Sequence, residues 1–160
     1  LDRFMFMIRV EYPTAEEEFE IMKRATAGPM GEPDRVLSES DILRLQKTTR
    51  RMPVADHVYA YAERIVRSTR PNEPDALEFC RKWLSWGAGP RASLNLILAA
   101  KARALLNGQY YVSCQDIAEV SGPVMRHRLI PNFAAQSEGI TPDAITRRIL
   151  KSIPVDEPLA

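Results

Sequence analysis

The sequence predicts an all-α protein: a helical bundle with one short β-strand at its N-terminus. Three observations lead there. Most of the chain falls into stretches whose apolar residues recur every three or four positions, the period of an amphipathic helix. Those stretches are bounded by Ser, Thr, Asp, Pro and Gly at positions that start and stop helices. One run, Met5–Val10, is apolar over strand length, broken only by Arg9, and precedes the first helix. About six or seven helices joined by mostly short connections make a bundle.

Met5–Val10 follows Leu1–Phe4 (L-D-R-F) and reads as a single strand. One strand cannot bury itself. The chain opens at Leu1 without a methionine, so the strand's partners are expected upstream, in a longer protein. Glu11-Tyr12-Pro13 ends it. Thr14 followed by Glu17 is a capping-box signal, with Glu16, Glu17 and Glu18 at the positive end of a helix predicted over Ala15–Ala25. Phe19, Ile21, Met22 and Ala25 form its apolar side. Thr26–Ser38, with Gly28, Pro29, Gly31 and Pro33, is expected to be a mobile loop. Ser38 or Ser40 caps the next helix, which begins with Ile42, Leu43 and Leu45 and ends at Arg50-Arg51.

Pro53 is predicted to open a third helix. Val54, Val58, Tyr61, Ala62, Ile65 and Val66 line its apolar side as far as Thr69. Pro71–Pro74 is a linker. Asp75–Ser85 reads as a helix with Leu77, Phe79, Cys80, Trp83 and Leu84 inward; Trp86 is assigned to the core beside them. The longest pattern runs from Pro90 to Asn107 with Leu94, Ile97, Leu98, Ala102 and Leu105. It is apolar around much of its circumference and is expected to be the central helix. Lys101 falls within its stripe, with a buried stem and an amine that reaches out. Gly108 stops the helix.

Tyr110–Val112 is an extended bridge. Ser113 and Asp116 cap a helix carrying Ile117, Val120, Val124 and Met125, with Gly122-Pro123 expected to kink or split it. Pro131–Gly139 reads as irregular. Thr141-Pro142-Asp143 starts the last helix, which runs to Ser152 through Ile145, Ile149 and Leu150. The expected units are residues 1–12 (strand and hinge), 13–153 (helical domain) and 154–160 (a frayed tail).

A chain of 160 residues with 45% hydrophobic and 27% charged residues can pack one real core. A net charge of +1 lacks the basic excess of a nucleic-acid-binding domain. The basic clusters Arg50-Arg51, Arg126–Arg128 and Arg147-Arg148 read as solvated helix faces or C-terminal turns. No apolar run approaches the ~20 residues of a membrane span. Cys80 and Cys114 lack metal-site spacing and form no disulfide framework. With no signal-like start, they point to a reducing cytoplasm. His57 and His127 stand far apart without an acid cluster, so no metal site or histidine-based triad is supported. No Gly-rich loop ends in Lys-Ser/Thr, so the chain holds no complete nucleotide site.

One local conflict stands out. In Trp86–Ser93, W-G-A-G-P-R-A-S, Pro90 suits the first helical position and Arg91 falls in the first turn. A cation there faces the positive end of the helix dipole. Two readings remain open: an exposed arginine tolerated at small cost, or an arginine that shares an anion with the free N–H groups of the helix start.

L-D-R-F, Tyr12-Pro13, W-G-A-G-P-R-A-S, K-A-R-A-L-L-N-G and V-M-R-H-R-L together resemble the C-terminal part of the MoxR family of AAA+ ATPases. The resemblance covers most of the chain. It implies that Leu1–Val10 ends an α/β ATPase core and that Tyr12-Pro13 is the hinge to a helical lid. It implies that Arg91 is the sensor-2 arginine, which reaches the phosphates of ATP, with Gly89 and Pro90 beside it and with Gly87 and Gly89 letting the backbone approach the nucleotide closely. Arg3 matches the arginine offered to the nucleotide of the neighbouring subunit in a ring. The implied partners are the protein's own ATPase core, neighbouring subunits and a client protein. The phosphate loop and Mg²⁺-binding acids are expected upstream, with no metal site in this chain. Two alternatives stand beside this: a non-catalytic helical interaction module, and a helix-turn-helix DNA binder using Arg126–Arg128.

Overall fold

The computed structural model describes residues 1–28 and 31–155. Within them the chain forms eight helices and two short strands. In order these are α1 (Ala15–Thr26), α2 (Glu39–Arg51), α3 (Asp56–Arg67), α4 (Glu78–Trp83), β1 (Leu84–Trp86), α5 (Pro90–Leu106), α6 (Cys114–Met125), β2 (Ile130–Pro131), α7 (Phe133–Ser137) and α8 (Pro142–Ser152). The all-α bundle expected from the periodicity is what forms.

Capping chemistry sets most helix starts. Thr14 with Glu17, Ser38 with Asp41, and Ser113 with Asp116 each close a complete capping box. Thr141 accepts from the Ala144 N–H at α8. Helix α5 is the centre, packing on α6, α3 and α2. Its buried ridge is Ala92, Leu96, Ala99, Ala100 and Ala104, with Ile97 beside it. The small side chains let neighbouring backbones approach, whereas Leu94 lies exposed on the far side. Val58, Tyr61, Ala62, Ile65 and Val66 of α3 are all buried, as their spacing predicts. Lys101 reaches across to α2 and donates from Nζ to the Arg50 carbonyl at 3.0 Å.

Several elements differ from the sequence expectation. Residues 5–10 form no strand. A strand needs a ladder partner, and among the described residues none lies beside this segment. Its backbone instead meets side chains of the α6 end and the Pro123 carbonyl, which accepts from the Met7 N–H at 2.9 Å. Helix α3 begins at Asp56 rather than Pro53, because Val54 is drawn into a parallel bridge with Val112. Helix α4 is short. Leu84–Trp86 leaves the helical path to pair antiparallel with Ile130–Pro131. That pairing, together with α7, gives structure to part of the stretch read as irregular. Helix α6 runs unbroken through Pro123. Trp86 lies on the surface, 67% exposed, not in the core. The expected frayed tail lies outside the described residues from 156 onward, as does part of the 26–38 loop at Pro29.

The step Gly87-Ala88-Gly89, which leads into α5, is anchored on the end of α3. The Ala88 N–H donates to Thr69 Oγ1 at 2.9 Å, and Arg70 Nε donates to the Ala88 carbonyl at 3.1 Å. A Cβ on Gly87 would stand 2.3 Å from the Thr69 carbonyl oxygen and 2.8 Å from the Arg70 Cα. Gly87 thus serves close packing within the chain. Gly89 faces open space. Gly87→Ala is expected to destabilise the fold by about 1–3 kcal/mol through overpacking against rigid backbone. Gly89→Ala meets no steric obstacle and should cost less, about 0.5–1 kcal/mol, as a poorer N-cap. Denaturant midpoints of the two variants check the contrast.

Candidate functional site

Gly89 is the N-cap of α5, extended at φ −84° and ψ 179°, and has no side chain to cap with. Pro90 is the first helical residue and Arg91 the second. No acid lies in the first turn. The Ala92 N–H turns back to the Gly89 carbonyl at 2.9 Å. The Arg91 side chain is 63% exposed. Its conflict with the helix dipole is answered here by a carboxylate: Nη1 lies 3.3 Å from Asp2 Oδ2. Beside the helix start, Arg70, Asn72, Trp86 and Pro90 help line a groove of about 290 Å³.

The second half of the site is the segment after α6. Arg128 continues the buried face of α6 (Ser121, Val124, Met125), one period on, and its side chain is 1% exposed. A buried guanidinium must find acceptors for its fixed fork of donors. Arg128 takes nearly all of them from the N-terminal segment. Nε donates to Asp2 Oδ1 at 3.1 Å. Nη2 donates to the Asp2 carbonyl at 2.8 Å and the Phe4 carbonyl at 2.6 Å. Nη1 donates to the Met5 carbonyl at 3.2 Å and also to the Val124 carbonyl. Burial pulls the Arg128 pKa down while Asp2 pushes it up. An arginine stays charged through such a contest.

Arg126 and His127 extend the clamp. Arg126 Nη1 donates to the Met7 carbonyl at 2.6 Å, and its Nε donates to Asp143 Oδ1 at 2.8 Å. Arg9 reaches the same carboxylate at 3.2 Å. His127 Nε2–H donates to the Phe4 carbonyl at 3.0 Å, which leaves Nδ1 as the unprotonated nitrogen. That Nδ1 is buried without a partner among the described residues. The Arg126–Arg128 cluster read as solvated is therefore an internal clamp on residues 2–7. The donors that a DNA-binding reading would give to phosphates are engaged here on carbonyls of residues 2–7 and on the Asp2 and Asp143 carboxylates.

Arg3, also on the L-D-R-F segment, is exposed, and its guanidinium carbon lies 5.2 Å from the Phe4 ring centroid. The structure brings Arg91, Asp2 and Arg128 into one chain of contacts, with Arg3 next in sequence to the shared carboxylate. No three His, Cys, Asp or Glu side chains converge to hold a metal among the described residues. Cys80 and Cys114 are free and buried; burial pushes the Cys80 thiol up to about 12, which keeps it protonated. Asp2 and Arg128 were missed as site residues in the sequence. Arg128 was findable, since the three- and four-residue steps from Ser121, Val124 and Met125 put it on the apolar face. Asp2, 89 positions from Arg91, carried no such signal.

Residues 79–149, which include α5 and the clamp, match the family model of the AAA lid domain. Across 95% of this chain, 39% of residues are identical to the chaperone MoxR1 of Mycobacterium tuberculosis. The chain carries an AAA lid of the MoxR type. It is also 31% identical, over 97% of its length, to the uncharacterized protein YeaC of Bacillus subtilis. The crystal structure of a "putative ATPase" from Cytophaga hutchinsonii superposes with a TM-score of 0.86 at 30% identity, over 98% of this chain. The chain spans 40% of MoxR1, 46% of YeaC and 48% of the Cytophaga chain. Gly89, Pro90 and Arg91 lie inside the lid match; Asp2 and Arg3 lie before it. No helix of the described residues is long and apolar enough to cross a membrane.

The clamp has a pH signature. Burial holds the His127 pKa below the usual histidine value, against the pull of the Phe4 carbonyl. The unfolded chain therefore takes up a proton that the folded one resists. The stability this site contributes is full above about pH 6.5 and falls as the pH drops below it. His127→Gln, which can still donate to Phe4, should show a shallower loss of unfolding midpoint between about pH 7.5 and 5.5. An unchanged slope would place the effect elsewhere.

Proposed function

We propose that this chain is the sensor-2 lid of a MoxR-type ATPase, and that Arg91 engages the phosphates of ATP. One observation carries the reading. Arg91 is an exposed guanidinium in the first turn of the central helix, on a start with no acidic residue and no side-chain cap, inside the span that matches the AAA lid. A guanidinium keeps its charge and forks onto phosphate oxygens. The free N–H groups of a helix start favour the same anion. Pro90 and Gly89 shape the approach, and the anchored Gly87-Ala88 step keeps it rigid.

In this reading an ATPase core supplies the phosphate loop and the acids that hold Mg²⁺, and ATP binds in the cleft between that core and the lid. Magnesium neutralises phosphate charge when bound; the residues of this chain bind, orient and exclude water. Arg3 reaches the nucleotide of a neighbouring subunit in a ring. Binding and hydrolysis then move the lid and remodel or activate a client protein, as the name of the relative MoxR1 suggests. The setting is the cytoplasm. A second reading, a helical interaction module, draws support from α1, which buries no residue and exposes Phe19, Ile21 and Met22. The two readings differ in whether the protein hydrolyses ATP.

In the full-length protein, Arg91→Ala is expected to lower ATP turnover by about tenfold or more, through lost phosphate stabilisation. Unchanged turnover would sink the sensor-2 assignment. For Arg3, subunits carrying Arg3→Ala are mixed with subunits disabled in their own phosphate loop. Each subunit alone should be inactive, and mixing should restore turnover, because the loop-disabled subunit lends its Arg3 to the intact site of the Arg3→Ala subunit; no recovery on mixing would contradict the trans role.

A further inference from the structure

We propose that Asp2 is a positioning residue for Arg91: a resting counter-ion that ATP must displace, and that ties the engagement of Arg91 to the segment bearing Arg3. The inference rests on the reading of Arg91 as a phosphate ligand. One carboxylate serves two arginines here, and it serves them unequally. Oδ1 faces Arg128 Nε at 3.1 Å, and the same guanidinium also holds the Asp2 carbonyl. That side is buried on the Arg128 end and fixed by several bonds. Oδ2 faces Arg91 Nη1 at 3.3 Å through one contact, on a side chain that is mostly exposed. An exposed ion pair of this kind is weak. Arg91 can therefore leave Asp2 while Asp2 stays on Arg128.

A polyphosphate carries more charge than one carboxylate and accepts both prongs of the guanidinium fork. When ATP takes Arg91, the contact between the start of α5 and the L-D-R-F segment is lost. Arg3, the next residue, is then held by the clamp alone. The coupling is reciprocal: whatever fixes L-D-R-F in a neighbouring site also changes how freely Arg91 is available. A carboxylate that merely anchored the N-terminus would need only its Arg128 side.

The test is a double-mutant cycle on ATP affinity in the full-length protein, using a non-hydrolysable ATP analogue. Asp2→Asn should tighten binding by about two- to fivefold when Arg91 is present, the range expected from freeing an exposed pair. It should have no effect in the Arg91→Ala background. The gain should shrink at high salt, where exposed charges are screened. Structural damage does not improve affinity, so tightening separates a counter-ion from a fold residue. Unchanged or weaker binding by Asp2→Asn, or an equal effect in both backgrounds, overturns the proposal. So does an Asp2→Asn protein in which the amides of residues 2–7 lose protection from hydrogen exchange, because Asp2 would then be a fold residue. If Arg91→Ala itself leaves affinity unchanged, the phosphate reading fails first; if it weakens binding while Asp2→Asn does nothing, only the counter-ion role fails.

Discussion

A permanently charged side chain buried at the end of α6 fixes the relation between the first residues of the chain and the bundle. Arg128 cannot shed its charge, so its donors had to be met inside the fold. The bundle offers one backbone acceptor, the Val124 carbonyl, and the rest come from Asp2, Phe4 and Met5. A segment with mostly exposed side chains is thereby held through its carbonyls. This is an unusual way to seat an extended segment, because no hydrophobic burial is needed at Phe6, Ile8 or Val10, all of which stay exposed. Sequence variation in those side chains would leave the seating intact, whereas loss of Arg128 would release it.

The start of α5 is fixed from the other side. Thr69, two residues past α3, donates its hydroxyl to the Val66 carbonyl, while the same oxygen accepts from Ala88. Gly87 lies against that backbone with no room for a Cβ. A glycine step that suggests flexibility in the sequence is in fact a tight contact between two elements. The consequence for the candidate site is a rigid mount. Arg91 leaves a fixed helix start, so the mobile part is its side chain. An active site with preorganised donors loses less on engagement than one that must order a loop.

Local chemistry was legible in the sequence and pairing at a distance was not. The capping boxes at Thr14 and Ser113 depend on residues three apart, and each forms as written; of the two caps offered for α2, Ser38 is the one used, and it closes a box with Asp41. The apolar face of α3 follows from spacing alone. Pro53 and Asp75 looked like helix starts for good local reasons. Pro53 was overruled by Val112 bridging Val54, while Asp75 pairs with Arg67 and the helix starts at Glu78; its far end was cut short by Ile130–Pro131 pairing with Leu84–Trp86, and both strand partners lie more than 40 positions away. Trp86 reached the surface for the same reason. Arg91 was singled out by a local conflict with the helix dipole, which needs no knowledge of the fold. Its actual counter-ion could be found only once the chain had brought Asp2 to it. Arg128 shows the intermediate case, where periodicity implied burial but charge argued for solvent.

The alanine ridge of α5 has a mechanical meaning. Seventeen helical residues make a rod about 25 Å long, seated along the bundle by side chains too small to deform. Arg91 sits at one end of the rod. Toward the other, Lys101 grips the last turn of α2 through the Arg50 carbonyl. A pull on the first turn cannot be absorbed by rotamer changes in Ala92, Ala99, Ala100 or Ala104, because alanine has none. Beyond that grip, Ile42, Leu43 and Leu45 of α2 face outward. The smallest side chains in the core thus seat the longest helix among the described residues.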